Sequence, residues 1–510
     1  MSEDHQKQIE ELQKQLQKLQ AQSNPQYDGY QTSLTTRYCS AAMSNLFSQR
    51  SRHSTWRKLW LGLAESEKEL GIDTISAEAL DEMRAHLTVT DSDFEVARVE
   101  EKIRRHHVHA FGAVAPSAAG IIHYGATSCF VTDNAELILM REAMDLLLNK
   151  LAKVISNLSA FALKWKEEPT LAYTHLQAAQ LITVGKRAAQ WVQDLMFDLE
   201  SIEQVRNDLK FRGAQGTTGT QASFLEIFQG DSAKCDKLND LLCEKFKFPA
   251  CYDVSTQTYT RKVDLVVANA VAGLGATAQK ICGDIRHLAH WKEIEEPFEK
   301  SQIGSSAMAS LQEEPRPYPF MRSERVYSLA RELMSKPTNF ANTLSDQWAE
   351  RTLDDSAIRR IDIPEMFLLA EAILIGLDNI SDGLVVYPKR IQARVQEELP
   401  FMITETIIMR LVAQGASRQE AHEEIRVLSH EAGYVVKNEG KPNDLVSRMK
   451  SKDFFKPIWG ELDNMLKAEL YTGRSAEIVD KYCGAGGPVE KRLVPYQKHI
   501  QESTTAQLNV

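Results

Sequence analysis

Apolar residues recur at alternating spacings of three and four over one unbroken run: Leu137, Met140, Met144, Leu147, Leu151, Val154, Leu158, Phe161 and Trp165. Such spacing puts them all on one face of an α-helix. The run predicts a helix over 133–166, about 50 Å long at 1.5 Å per residue, capped by Asp133 or Asn134.

Four further stripes repeat the pattern. They run Leu181, Val184, Ala188, Trp191, Leu195, Leu199, Ile202, Val205, Leu209; then Val267, Val271, Leu274, Ala278, Ile281, Ile285, Leu288; then Val326, Leu329, Leu333, Phe340, Leu344, Trp348; then Phe367, Ala370, Leu374, Leu377, Leu384. Pro337 is expected to kink the fourth helix, and Pro364 to lie near the first turn of the fifth. Narrow seams on rods this long imply a bundle with crossings near 20°, shared between subunits of an oligomer. No sustained alternation of period two is present, so the class is all-α.

The chain divides into a polar extension (1–24), an N-terminal helical domain (25–127), a central domain built on a bundle of five long helices (128–386) and a C-terminal helical domain (387–510). In the extension, Ile9, Leu12, Leu16 and Leu19 make a stripe of only two heptads, marginal as a coiled coil. Beyond 386 the helices shorten; Ser417 followed by Glu420 reads as a capping box, and Gly484, Gly486 and Gly487 mark a loop.

Charge and cysteine usage narrow the function. The net charge of −10 argues against a nucleic-acid partner. No run reaches the roughly 18 consecutive apolar residues of a membrane span, and the N-terminus lacks an apolar signal core. The seven cysteines form no CxxC pair, which points to free thiols in a reducing, cytoplasmic setting. No HExxH, CxxC or GxxxxGK[ST] motif is present, so no metal and no organic cofactor is expected.

Chemistry is expected in the polar segments joining the rods. These are GIIHYGATSCFVTDN (120–134), THLQAAQ (174–180), RGAQGTTGTQASF (212–224), QTYTRK (257–262), QIGSSAM (302–308) and ERTLDDSAIRR (350–360). Taken in order, they resemble the signature segments of the adenylosuccinate lyases, in the fumarase/aspartase superfamily. The likeness runs nearly collinearly from about residue 33 to 360, and more loosely beyond.

The resemblance implies a three-domain all-α subunit, a homotetramer with active sites shared between subunits, and a carbon–nitrogen lyase of purine biosynthesis. Such an enzyme eliminates fumarate from adenylosuccinate, giving AMP, and from the succinylated carboxamide ribotide SAICAR, giving AICAR. A base takes the Cβ proton, an acid protonates the departing nitrogen, and fixed cations meet the charge that builds on a carboxylate. By resemblance His175 is the acid and Ser305 the base. Arg37 and Tyr38 touch the phosphate side, Thr127 and Ser128 the succinyl carboxylate, and Gln257 a carboxylate and the ribotide. Arg105 and His106 match a substrate-binding pair, and Arg325, Arg351, Ser356 and Arg360 match phosphate and nucleotide contacts.

Two segments depart from the family pattern. Relatives usually follow GSSAM with a short PxKxNP run; here ASLQEEPRPYPF (309–320) is six residues longer, lacks the lysine and asparagine, and carries Glu313 and Glu314. Losing that lysine is expected to lower turnover more than nucleotide binding. At 104–109 the aspartate that usually follows Arg105 and His106 is absent. The alternative reading these departures raise is an impaired member that serves as a non-enzymatic or helper subunit of a tetramer.

Overall fold

A computed structural model describes residues 29–103, 107–297 and 321–504. Ser305, Arg105, His106, the run 309–320 and the extension 1–24 therefore lie outside the described residues.

The N-terminal region is a cluster of short helices. Helix α1 (Gln49–Glu69) starts at Ser48, whose hydroxyl accepts from Ser51 N, and α2 (Ala77–Ala85) starts the same way at Ser76. Both caps satisfy amides that the first turn leaves without partners. Next come α3 (Asp91–Ile103) and α4 (His107–Val114). Arg57 of α1 pairs with Asp93 of α3 at 3.0 Å, both buried.

The bundle follows. Helix α5 (Ser128–Lys164) has 37 residues and so a length of about 55 Å. It ends in a hairpin of β1 (Pro169–Thr174) and β2 (Gln177–Thr183), antiparallel, with Thr174 opposite Gln177. Helix α6 (Val184–Asp208) starts at Thr183, whose hydroxyl accepts from Lys186 N. Gly185 lets its start press on the end of α5: a Cβ there would lie 2.2 Å from the Ala162 carbonyl oxygen. Then come α7 (Ser232–Phe246), α8 (Lys262–His290), strand β3 (Ile294–Glu295), α9 (Met321–Ser345), α10 (Asp355–Asp382) and β4 (Val385–Val386), which pairs with β3. Helices α5, α6, α8, α9 and α10 pack side by side, α8 against α6, α9 and α10, and α5 against α6 and α10. Their seams are the core: Leu147, Leu151, Leu195, Val271, Ile285, Leu333 and Leu374 are all fully buried. By length and composition α5 and α8 could each cross a membrane; here their apolar faces meet the neighbouring helices.

The C-terminal region carries α11 (Pro388–Met402), α12 (Thr404–Ala413) and α13 (Arg418–Glu439). The Ser417 hydroxyl accepts from Glu420 N at 3.5 Å, as the capping box predicts. Further along, helix α14 (Ser475–Cys483) packs on α5 and α6.

Several expectations need correction. Helix α5 starts at Ser128, so Asp133 and Asn134 are buried within it and cap nothing. Leu181 belongs to β2, and Leu384 lies past the end of α10. Trp348 is 71% exposed beyond the end of α9, because the chain turns there through left-handed backbone at Trp348 and Ala349. Pro364 sits in the interior of α10, since the helix begins earlier, at Asp355. Pro337 lies within α9, which is helical on both sides of it. Among the described residues the fold is all-α as expected, apart from two small strand pairs and one isolated bridge between Phe211 and Cys251.

Candidate active site

Three long helices bring their amino ends together. Ser128 opens α5, Arg261 directly precedes α8, and Asp355 opens α10. Helix amino ends carry partial positive charge and unpaired N–H groups, which favour anions.

The ends are tied by buried ions. Arg261 Nε donates to Asp355 Oδ2 at 2.7 Å, and its Nη1 and Nη2 donate to the two oxygens of Asp133 at 3.2 Å each. Arg359 Nε donates to Asp264 Oδ2 at 2.7 Å, and Tyr259 Oη donates to Asp264 Oδ1 at 2.6 Å. The Tyr259 amide donates to Asp133 Oδ2 at 3.0 Å. Burial alone would raise Asp133, but Arg261, Arg359 and Arg212 outweigh it and hold the carboxyl below its usual range. Burial pushes Tyr259 well above its ordinary value, so it stays a phenol and keeps its donor. Asn134 closes the other side: its Oδ1 accepts from the amides of Arg212 and Gly213 at 3.0 Å each. In this way parts of four motif segments become one rigid block.

The expected binding residues sit on its rim. Arg351 donates from Nη1 to Gln257 Oε1 at 3.4 Å and to Cys129 Sγ at 3.1 Å. Thr127 precedes α5, and its Oγ1 is buried without a hydrogen-bond partner. Ser128 is exposed at the helix start; Ser356 is half-buried in the first turn of α10, and Arg360 is exposed one turn further on. A guanidinium, a carboxamide, an unpaired hydroxyl and three helix amino ends suit a carboxylate or phosphate.

A second patch lies further along α10. The Arg325 guanidinium stacks over the Tyr38 ring at 4.9 Å, and exposed Arg37 adjoins it in a π-helical turn, Leu34–Tyr38. The turn is pinned to α10: Cys39 Sγ donates to the Leu368 carbonyl at 3.1 Å, and Ser40 donates from its amide and hydroxyl to Glu371 at 2.9 and 2.6 Å. Burial, then Glu371, pushes the Cys39 thiol up to about 12. Leu368 lies 13 residues beyond Asp355 (368 − 355), or about 20 Å along the helix.

His175 is elsewhere again. With Leu176 it forms the tip of the β1–β2 hairpin, exposed, and both residues have left-handed φ, 55° and 56°. That is the geometry of a two-residue type I′ turn, normally reserved for Gly and Asn. Strain kept in bulky residues points to function. The hairpin packs at the far end of the bundle. The Tyr173 ring lies 4.4 Å from that of Trp291, just past the end of α8, and Tyr173 Oη accepts from Arg394 Nη2 at 3.0 Å. Gln257 precedes α8, whose 29 residues measure about 43 Å. The structure thus gathers Thr127, Ser128, Gln257, Arg351 and Ser356 at one end. It places Arg37, Tyr38 and Arg325 along the side, and His175 at the opposite end.

The residues that hold the first patch, Asp133, Arg261, Asp355 and Arg359, were not expected in the site. Each falls inside a motif, and the signal was the unusual density of paired acids and arginines there.

Long rods, a hairpin at one end and helix amino ends that favour anions point to a lyase of the fumarase type, and the matches to known proteins agree. A family model described as Lyase matches residues 40–310, and one described as Adenylosuccinate lyase C-terminus matches 400–482. Among solved structures, a fumarate lyase from Mesorhizobium sp. BNC1 superposes with TM-score 0.73 and 21% identity, covering 88% of this chain and 99% of that one. A 3-carboxy-cis,cis-muconate lactonizing enzyme from Pseudomonas putida gives TM-score 0.71 and 20% identity over 92% and 100%. At that identity the likeness is one of fold. The chain is 52% identical to an adenylosuccinate lyase of Saccharomyces cerevisiae over 95% of its own length and 100% of the relative's. It is 51% identical to that of Schizosaccharomyces pombe over 93% and 98%. The chain belongs to the adenylosuccinate lyase family of the fumarase/aspartase superfamily.

Proposed function

We propose that this chain is a carbon–nitrogen lyase that eliminates fumarate from adenylosuccinate and from SAICAR in purine nucleotide biosynthesis. The observation that carries this reading is the convergence of three helix amino ends on Arg351, Gln257 and the unpaired Thr127 hydroxyl. They offer fixed donors to a succinyl carboxylate whose charge grows as the Cβ proton leaves. His175 protonates the departing nitrogen and Ser305 takes the Cβ proton. Arg37, Tyr38, Arg325, Ser356 and Arg360 hold the phosphate and nucleotide.

One chain keeps these groups a bundle length apart, so the reading needs neighbouring subunits. Bundles packed on one another can set the His175 hairpin of one chain against the helix ends of another, in a homotetramer. The unpaired thiols support a cytoplasmic setting. Identity to the yeast relative over its whole length supports an active enzyme over an impaired helper subunit.

The test is direct. The purified chain should release fumarate from adenylosuccinate, followed by absorbance, and should scatter light as a particle near four times 57.5 kDa. Absence of fumarate would refute the activity, and a stable monomer would refute the shared site.

A further inference from the structure

Two thiols away from the helix ends face each other. Cys243 lies near the end of α7 and Cys251 on the segment that follows; their Sγ atoms are 3.5 Å apart. Cys243 is 6% exposed and Cys251 half-buried. No other thiol pair comes within hydrogen-bonding distance among the described residues.

Both sulfurs are caged. Fully buried Leu238 and Leu242 fix α7 in the core. The Cys251 segment is laced to residue 211: Phe211 N donates to the Ala250 carbonyl at 2.8 Å, and Tyr252 N to the Phe211 carbonyl at 2.9 Å. Behind Cys251, Gly213 leaves no spare room, for a Cβ there would lie 2.5 Å from the sulfur. A buried cysteine is commonly a small apolar filler. Here the hydrogen bond between the two thiols lowers Cys243 and raises Cys251. Cys243, the lowered member, has Cys251 3.5 Å away and is placed to act as the thiolate nucleophile.

We propose that Cys243 and Cys251 form a modification site, a dithiol that a hydroperoxide closes reversibly to an intramolecular disulfide. The Cys243 thiolate attacks one oxygen of hydrogen peroxide; an S–O bond forms, the O–O bond breaks and hydroxide leaves. The Cys251 sulfur then attacks the sulfenic sulfur of Cys243. An S–S bond forms, the S–O bond breaks, and the second hydroxide leaves. The two protons of the thiols convert both hydroxides to water. Two thiols and one peroxide give one disulfide and two waters, the sulfurs losing the two electrons that the peroxide gains. A reducing thiol reverses the closure by exchange.

Closure draws the sulfurs from 3.5 Å to about 2.05 Å. With α7 held by the core, the Cys251 segment moves, and it runs on through six residues (257 − 251) to Gln257. A shift of about 1 Å in a positioning group can cost about 100-fold in rate. This consequence rests on the proposed lyase activity, whereas the disulfide itself does not.

The test exposes the full chain to a few equivalents of hydrogen peroxide, alkylates the remaining thiols under denaturing conditions, and maps the peptides by mass spectrometry. One cross-link joining Cys243 to Cys251 is expected, removed by dithiothreitol and absent from Cys243→Ser, Cys251→Ser and Cys251→Ala. Equal alkylation of both cysteines before and after peroxide, or a link to a different cysteine, would overturn the site. In the same samples, turnover of adenylosuccinate should fall at least about tenfold on closure, recover on reduction, and stay constant in Cys251→Ser. A mapped disulfide with unchanged turnover would overturn the link to Gln257. A reduced chain without turnover would count against the lyase activity, while the peptide map still decides the dithiol.

Discussion

Asp355 Oδ1 accepts from both Nε and Nη2 of Arg351, four residues earlier, at 3.2 and 3.1 Å. The clamp leaves Nη1 directed at Gln257, and the other oxygen of Asp355 holds Arg261. Arg351→Lys should therefore raise KM at least about tenfold, because an ammonium cannot make the fork, while Tm changes little. Asp355→Asn should also lower Tm, since removing one member of a buried ion cluster costs about 3–5 kcal/mol. Equal Tm in the two variants would show that Asp355 serves Arg351 alone.

His175→Ala should cut turnover by about 100-fold or more and leave the oligomer intact, because the side chain is exposed and outside every seam. The turn adds a second readout. His175→Gly should be at least as stable as His175→Ala, since alanine bears a steric cost of about 1–2 kcal/mol in left-handed backbone and glycine does not. Matched thermal melts of the two variants check this.

Tyr38→Ala should raise KM several-fold with little change in kcat. It removes a cation–π contact worth about 0.5–1 kcal/mol that orients Arg325. Tyr38→Phe keeps the ring face and should behave as wild type in the same assay.

Glu67 gives a prediction on pH. It is fully buried, neither oxygen has a partner, and burial lifts its pKa from 4.5 to about 8. The folded chain holds this proton while the unfolded chain releases it above its own, lower pKa. Stability should therefore fall as pH rises from about 4.5 to about 8 and level off above that. Glu67→Met should remove this component, raising Tm at pH 8 more than at pH 5. A Tm gain independent of pH would place the titration elsewhere.

Local pattern revealed the rods and hid their ties. Leu137 through Phe161 faced the core as their spacing required, because a helix repeats one geometry along its length. Asp133 looked like a cap because capping is local, yet its partner Arg261 is 128 residues away, a relation no spacing encodes. The hairpin carries no alternation of period two, because Thr170 and Leu171 are both buried and the register shifts between Leu171 and Tyr173. Trp348 looked like core because an apolar residue in phase with a stripe cannot signal that its helix has already ended. His175 and Gln257 were recognised from their motifs, but nothing in either motif says that they stand at opposite ends of one rod.

That arrangement makes α8 a ruler. If the hairpin of one chain completes the helix-end patch of another, the length of the rod sets the spacing of every site in the assembly at once. One inserted turn would add about 5.4 Å, several times what a proton transfer tolerates, without touching a single site residue. Changes of length should therefore be confined to the loops and termini, whereas the rods can exchange their residues but not alter their number.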